Sequence, residues 1–170
     1  MIIECRKEIS LIKKKIKRNI KKIQEYSSAV STETFPFETE KAQREQVDSL
    51  LKDNLDLARR LMKLKRDLEY TNLLVTASIN GMTNTISEWI QISRRVGQFY
   101  YRTFKAMNTK QGESRIRHAP PAQGGTLPQV VSLFDIKERD ENLSWWHDAI
   151  EKIDPTLEVV NATTEIIEAP

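Results

Sequence analysis

The chain of 170 residues has the length of one ordinary domain, but 39% apolar content and 30% charged residues, with a mean hydropathy of -0.53, are poor provision for a self-sufficient core and point to long helices that depend on partners. One cysteine, Cys5, excludes an intramolecular disulfide framework. The Met1-Ile-Ile-Glu-Cys-Arg start lacks a signal peptide's apolar region, and no apolar run is long enough to cross a bilayer, so the expectation is a cytosolic or virion protein with no membrane partner.

The net charge of +3 hides segregation. Lys13, Lys14, Lys15, Lys17, Arg18, Lys21 and Lys22 crowd one stretch, and Glu38, Glu40, Glu45 and Asp48 follow it. A second basic block from Arg94 to Arg117 is answered by acids between Asp135 and Asp154, so opposite charges have scope to pair within or between subunits.

Taken in chain order, residues 2 to 29 place Cys5, Ile9, Ile12, Ile16, Ile20 and Ile23 at steps of four, three, four, four and three, which predicts an amphipathic helix. That order of steps is nearer an eleven-residue than a seven-residue repeat, and isoleucine at successive seam positions favours three strands over two. Residues 27 to 37 carry hydroxyl and β-branched side chains and Pro36, so the helix should break there, with Thr39 capping the next. In the second helix Val47, Leu50, Leu57, Leu61, Leu64, Leu68 and Val75 follow a heptad, with Asn54 and Thr71 in its remaining positions. Asn54 reads either as a register-setting seam amide or as an amide at a loosely packed helix end. Leu51, Leu55, Ala58 and Met62 make a second stripe, as if this helix met two neighbours.

Val75 to Ile79 and Met82 to Ile86 flank Asn80-Gly81, a dipeptide suited to positive φ at both centres of a type I′ hairpin turn. Thr85 and Glu88 read as a capping box opening a third helix through Trp89, Val96, Tyr100 and Phe104 to about Asn108. Residues 109 to 128, with Gly112, Pro120, Pro121, Gly124, Gly125 and Pro128, read as a linker. Beyond it a strand is expected over Gln129 to Asp135, a short helix through Leu143, Trp146 and Ile150, and extended chain over Leu157 to Val160 and Thr163 to Ile167. The predicted class is mainly α: long antiparallel helices of coiled-coil or bundle type with a hairpin near 75–86, divided into a helical module 1–108, a linker 109–128 and a docking tail 129–170.

The run Leu68-Glu-Tyr-Thr-Asn72, then Asn80-Gly81, Thr83-Asn-Thr-Ile-Ser-Glu88 and Arg94-Arg95 resembles the small septicolysin-like proteins of bacteria and bacteriophages. The likeness covers residues 1 to about 105 and leaves the C-terminal third unmatched. It implies the same order of a Lys-rich helix, a Leu-rich helix, a hairpin and a third helix, carries over no catalytic residue, and makes a phage structural protein a live expectation.

Catalysis has no motif to rest on. His118 and His147 lie far from Cys5, no metal-ligand spacing occurs, and neither a nucleophile elbow nor a phosphate-binding loop is present, so no catalytic, metal or cofactor residues are expected. The expected function is a homo-oligomeric, non-catalytic virion component attached to capsid or tail. Its seam would comprise Ile9, Ile12, Ile16, Ile20, Ile23, Val47, Leu50, Asn54, Leu57, Leu61, Leu64 and Leu68, a trimer being favoured, and its tail would dock on other structural proteins through Trp145 and Trp146. The alternative is a nucleic-acid-associated regulatory or packaging protein using the basic face of the first helix.

Overall fold

A computed structural model describes residues 1–30, 36–117 and 128–170, which are mainly helical with one antiparallel hairpin. In chain order the elements are α1 (Ile2–Tyr26), α2 (Glu40–Leu74), β1 (Thr76–Ile79), β2 (Met82–Thr85), α3 (Ile86–Gln91), a π-helical segment (Ile92–Val96), α4 (Gly97–Ala106), α5 (Lys110–Ile116) and α6 (Ile136–Thr163). They form two compact units, Met1–Leu74 with Val159–Pro170 and Val75–Glu158. The division therefore falls beside the hairpin and inside α6, away from residues 109–128.

In the first unit α1 packs antiparallel on α2. Cys5 Sγ lies 3.7 Å from the Leu64 carbonyl, Arg60 pairs with Glu8, and Gln43 Nε2 donates to the Tyr26 carbonyl at 2.7 Å, satisfying an acceptor in the last turn of α1. Ile2, Cys5, Ile9, Ile12 and Asn19 are buried and Ile16 and Ile23 half-buried, at alternating steps of three and four. The line is a seven-residue repeat, not the eleven-residue one expected, and Ile20 is left 45% exposed. Two successive steps of four would carry Ile20 about 80° round from Ile12, whereas Asn19 stays within about 20° of it. On α2, Gln43, Leu50 and Thr71 are buried and Val47, Asn54, Leu57, Leu61, Leu64 and Leu68 half-buried, so the expected heptad faces inward. α1 ends at Tyr26, within reach of the expected break, and Thr39 Oγ1 accepts from the Ala42 N–H at 3.1 Å as the cap of α2. Within that break, residues 31–35 lie outside the described residues.

In the second unit β1 pairs with β2 from Thr76↔Thr85 to Ile79↔Met82, and the turn has φ of 49° at Asn80 and 79° at Gly81, as the type I′ reading requires. Thr85 Oγ1 accepts from the Glu88 N–H at 3.2 Å while Glu88 Oε2 accepts from the Thr85 N–H at 2.7 Å, the reciprocal box expected. The backbone hydrogen bond from Thr85, seconded by its hydroxyl, holds the Glu88 carboxyl below its ordinary value. Helical structure then runs on to Ala106, close to the expected end. At the end of the π segment a Cβ on Gly97 would stand 2.9 Å from the Ile92 carbonyl and 3.1 Å from Ile150 Cγ1, so this close approach to α6 needs glycine. Trp89 is fully buried, in a unit whose other buried apolar side chains among the described residues are Ala77, Ile79, Ile86 and Ile92 on the hairpin side and Trp146, Ala149, Ile153 and Leu157 on α6, and its Nε1 donates to the Ala77 carbonyl at 2.8 Å.

Two expectations for the C-terminal third are corrected. No strand forms over residues 129–135, and Leu157 to Val160 is helical, part of an α6 that runs to Thr163 through Pro155. Trp146, Ala149, Ile153 and Leu157 recur at steps of three and four on one buried face, and burying that face outweighs the β preference of Val159 and Val160 and the missing N–H of Pro155. From Thr164 the chain leaves the helix and joins no sheet.

Two amides interrupt the α1–α2 contact line. The register places Asn19 opposite Leu50 and Asn54 opposite Ile16, and buried Asn19 Nδ2 and Asn54 Oδ1 have no hydrogen-bond partner among the described residues. An orphaned buried amide is destabilising. Asn19→Ile should therefore raise stability by about 1–2 kcal/mol, read as a higher midpoint in urea with an unchanged slope; a lower midpoint would show that the amide is satisfied in solution.

Candidate functional site

Trp145 and Trp146 belong to α6 and are engaged inside the second unit. Trp146 is 8% exposed and its ring stacks on Tyr100 with centroids 4.4 Å apart and planes 3° from parallel; Trp145 meets it edge-on at 4.8 Å. Trp145 Nε1 donates to the Asn80 carbonyl at 3.3 Å, and Lys152 Nζ donates to Asn80 Oδ1 at 2.8 Å. The hairpin turn and the tryptophans thus form one cluster, in which a residue at left-handed φ offers both its backbone carbonyl and its amide oxygen to α6. Tyr100 keeps 47% exposure although its ring is stacked on Trp146. Beside this stack an open groove of about 360 Å³ is lined by Met82, Ile92, Val96, Tyr100 and Trp146 among others.

The first unit holds a polar clasp that the sequence did not announce. Buried Thr71 Oγ1 donates to the Asp67 carbonyl at 2.7 Å and accepts from the Ile167 N–H at 2.9 Å; the Asp67 carboxylate accepts from the Ala169 N–H at 3.1 Å. Lys63 pairs with Glu168 at 3.4 Å, and the Ile2 N–H donates to the Thr164 carbonyl at 2.9 Å. These bonds hold residues 164–170 against the helix pair. Thr71 and Asp67 were visible only as a heptad filler and its polar neighbour. Nothing local marks them as ligands of a segment 96 residues away.

Chemistry at the remaining reactive groups is sparse. Burial pushes the Cys5 thiol above its ordinary value, and the nearby charges of Glu8 and Asp67 push it the same way, so the proton stays on at neutral pH and the sulfur is a poor nucleophile. Cys5 borders an open groove of about 510 Å³ that also takes in Glu4, Glu8, Arg60, Asp67 and Glu168. Among the described residues no group of three or more His, Cys, Asp or Glu side chains is placed to hold a metal ion, and no helix is long and apolar enough to cross a membrane. His147 is exposed beside Asp148 and Glu151, and His118 lies outside the described residues.

Two exposed surfaces stand out. Lys13, Lys14, Lys15, Lys17, Arg18, Lys21 and Lys22 are all exposed on α1, and none of them forms an ion pair among the described residues. Acids of α2 pair along their own helix, Glu40 with Arg44 at 3.2 Å and Glu45 with Lys41 at 3.9 Å. On α2, Leu51, Leu55 and Met62 of the second apolar stripe are 46%, 61% and 69% exposed. Compared with known proteins, the chain matches no family model, and none of the curated proteins or solved structures gives a significant match.

The clasp gives a direct expectation. Thr71→Val keeps the shape of the side chain but leaves the Ile167 N–H without its acceptor, which should cost about 1–3 kcal/mol and speed amide exchange at Ile167 and Ala169 ahead of the rest of the unit. Unchanged protection at those two amides would mean that the clasp does not hold the segment.

Proposed function

We propose that the protein is a non-catalytic structural component that assembles with itself and with neighbouring proteins through its helical surfaces. The observation that carries this reading is the placement of large apolar side chains outside both cores, Leu51, Leu55 and Met62 on α2 and, after residue 127, Val131 at 73%, Leu133 at 93% and Ile136 at 50% exposure. Neighbouring large apolar side chains left exposed in this way mark surfaces that are covered in use. The strap role expected of Trp145 and Trp146 passes to Val131, Leu133 and Ile136, because the tryptophans are engaged with Tyr100 and Asn80. A bacteriophage virion, at capsid or tail, is the setting implied by the resemblance to septicolysin-like proteins, and an oligomeric component of that kind suits a chain of low apolar content. Light scattering should return a multiple of the 19.7 kDa chain mass; a monomer at every accessible concentration would remove the basis for self-assembly.

A second reading, nucleic-acid binding by α1, is favoured by one observation: its run of cations is exposed and without ion pairs among the described residues. A phosphate-contacting face of this sort gives affinity that falls with salt, by a log–log slope of about 0.9 per contact on duplex DNA. On this reading Lys14→Gln with Lys21→Gln should flatten the slope by about 2 in gel-shift titrations. Failure of the unaltered chain to shift DNA or RNA near physiological ionic strength would dispose of it.

A further inference from the structure

The exposed stripe of α2 is longer than its apolar part. Leu51, Leu55, Ala58 and Met62 occupy its middle, Arg44 and Asp48 precede them, and Lys65 and Glu69 follow, all at alternating steps of four and three and all exposed. This second heptad line lies about 100° round the helix from the one packed on α1. We propose that it is a self-complementary interface through which two copies of the chain pair, α2 antiparallel to α2, about a two-fold axis between Leu55 and Ala58.

The argument rests on the order of residue types. Laid antiparallel on itself, the stripe sets Arg44 against Glu69, Asp48 against Lys65, Leu51 against Met62 and Leu55 against Ala58, and the two-fold repeats each contact. The charged ends match in sign and the apolar centre meets itself. A slip of one heptad in one direction puts Arg44 on Met62 and Asp48 on Ala58; in the other it puts Lys65 on Leu55 and Glu69 on Leu51. Parallel, in-register pairing opposes every charge to its own kind. One orientation and one register therefore satisfy the whole line, over about 37 Å of helix. The apolar centre drives association, and the flanking charges select the register and reject the alternatives.

The charges are placed to serve in this way. Arg44 contacts Glu40 at 3.2 Å in an exposed pair one turn away, a contact of small worth that a partner carboxylate can replace. Asp48, Lys65 and Glu69 enter no ion pair among the described residues. Of the isoleucines that favoured a trimer, Ile9 and Ile12 are buried and Ile16 and Ile23 half-buried within one chain, and Ile20 alone is exposed, whereas the α2 stripe closes with two copies and leaves no open end.

This inference rests on the assembly reading above, and its test separates the two. Sedimentation velocity on the full chain across a concentration series should show a monomer–dimer equilibrium. Leu55→Glu should abolish the dimer, and Asp48→Lys should weaken it on the order of tenfold, since two symmetry-related attractions become repulsions. Asp48→Lys combined with Lys65→Asp should restore it, with the far-ultraviolet circular dichroism of each variant unchanged because every altered side chain is exposed. An unaltered chain that forms an oligomer indifferent to Leu55→Glu, a trimer, or a double variant that fails to recover would overturn this interface and leave the assembly reading standing. A monomer throughout would take both down.

Discussion

Packing of α1 on α2 along a single heptad line governs the first unit. Ile2, Ile9 and Ile12 on one helix and Leu50 on the other leave water together, each contributing about 1.5–3 kcal/mol when fully buried. Once that line is fixed, the orientation of every other side chain on both helices follows from helical geometry. The lysines of α1 are turned outward because Ile12, Ile16 and Asn19 beside them are turned in. The second stripe of α2 is exposed for the same reason, and Asp67 and Thr71 come to lie where the segment 164–170 can use them.

The second unit is organised around a different constraint, the burial of one large aromatic side chain with its polar atom satisfied. Trp89 reaches the hairpin through the Ala77 carbonyl and is fully enclosed. The turn is then gripped by Trp145 and Lys152 at Asn80. Asparagine suits this place twice over, since it tolerates positive φ and carries an amide oxygen for the lysine.

Much of this architecture was legible because it rests on local rules. Heptad spacing gave the inward face of α2, the Asn80-Gly81 dipeptide gave the turn, and Thr85 with Glu88 gave the start of α3, each a case in which neighbouring residues decide the outcome. The failures share a cause of the opposite kind. Ile20 looked like a seam residue because apolar type was weighed over angular position, and Asn19 was passed over because it is polar. The length of α6 was hidden by its valines and by Pro155, although the steps from Trp146 to Leu157 already had a helical period. The clasp joins Thr71 to an amide 96 residues away, a separation that no local rule reaches. Of the proposed interaction surfaces, the second stripe could be read from spacing alone. That the tryptophans are engaged on their own hairpin required the fold.

The clasp also says something about the order in which the protein can be built. The first unit is made from two separated stretches of chain with the whole of the second inserted between them. During synthesis, α1 and α2 leave the ribosome long before residues 164–170 do, and until those arrive the Asp67 carboxylate and the Thr71 hydroxyl have no amides to receive. Until then the helix pair lacks the bonds that this segment supplies. The intervening unit, by folding first, would shorten the loop that must close and lessen the entropy lost when the final segment settles into place.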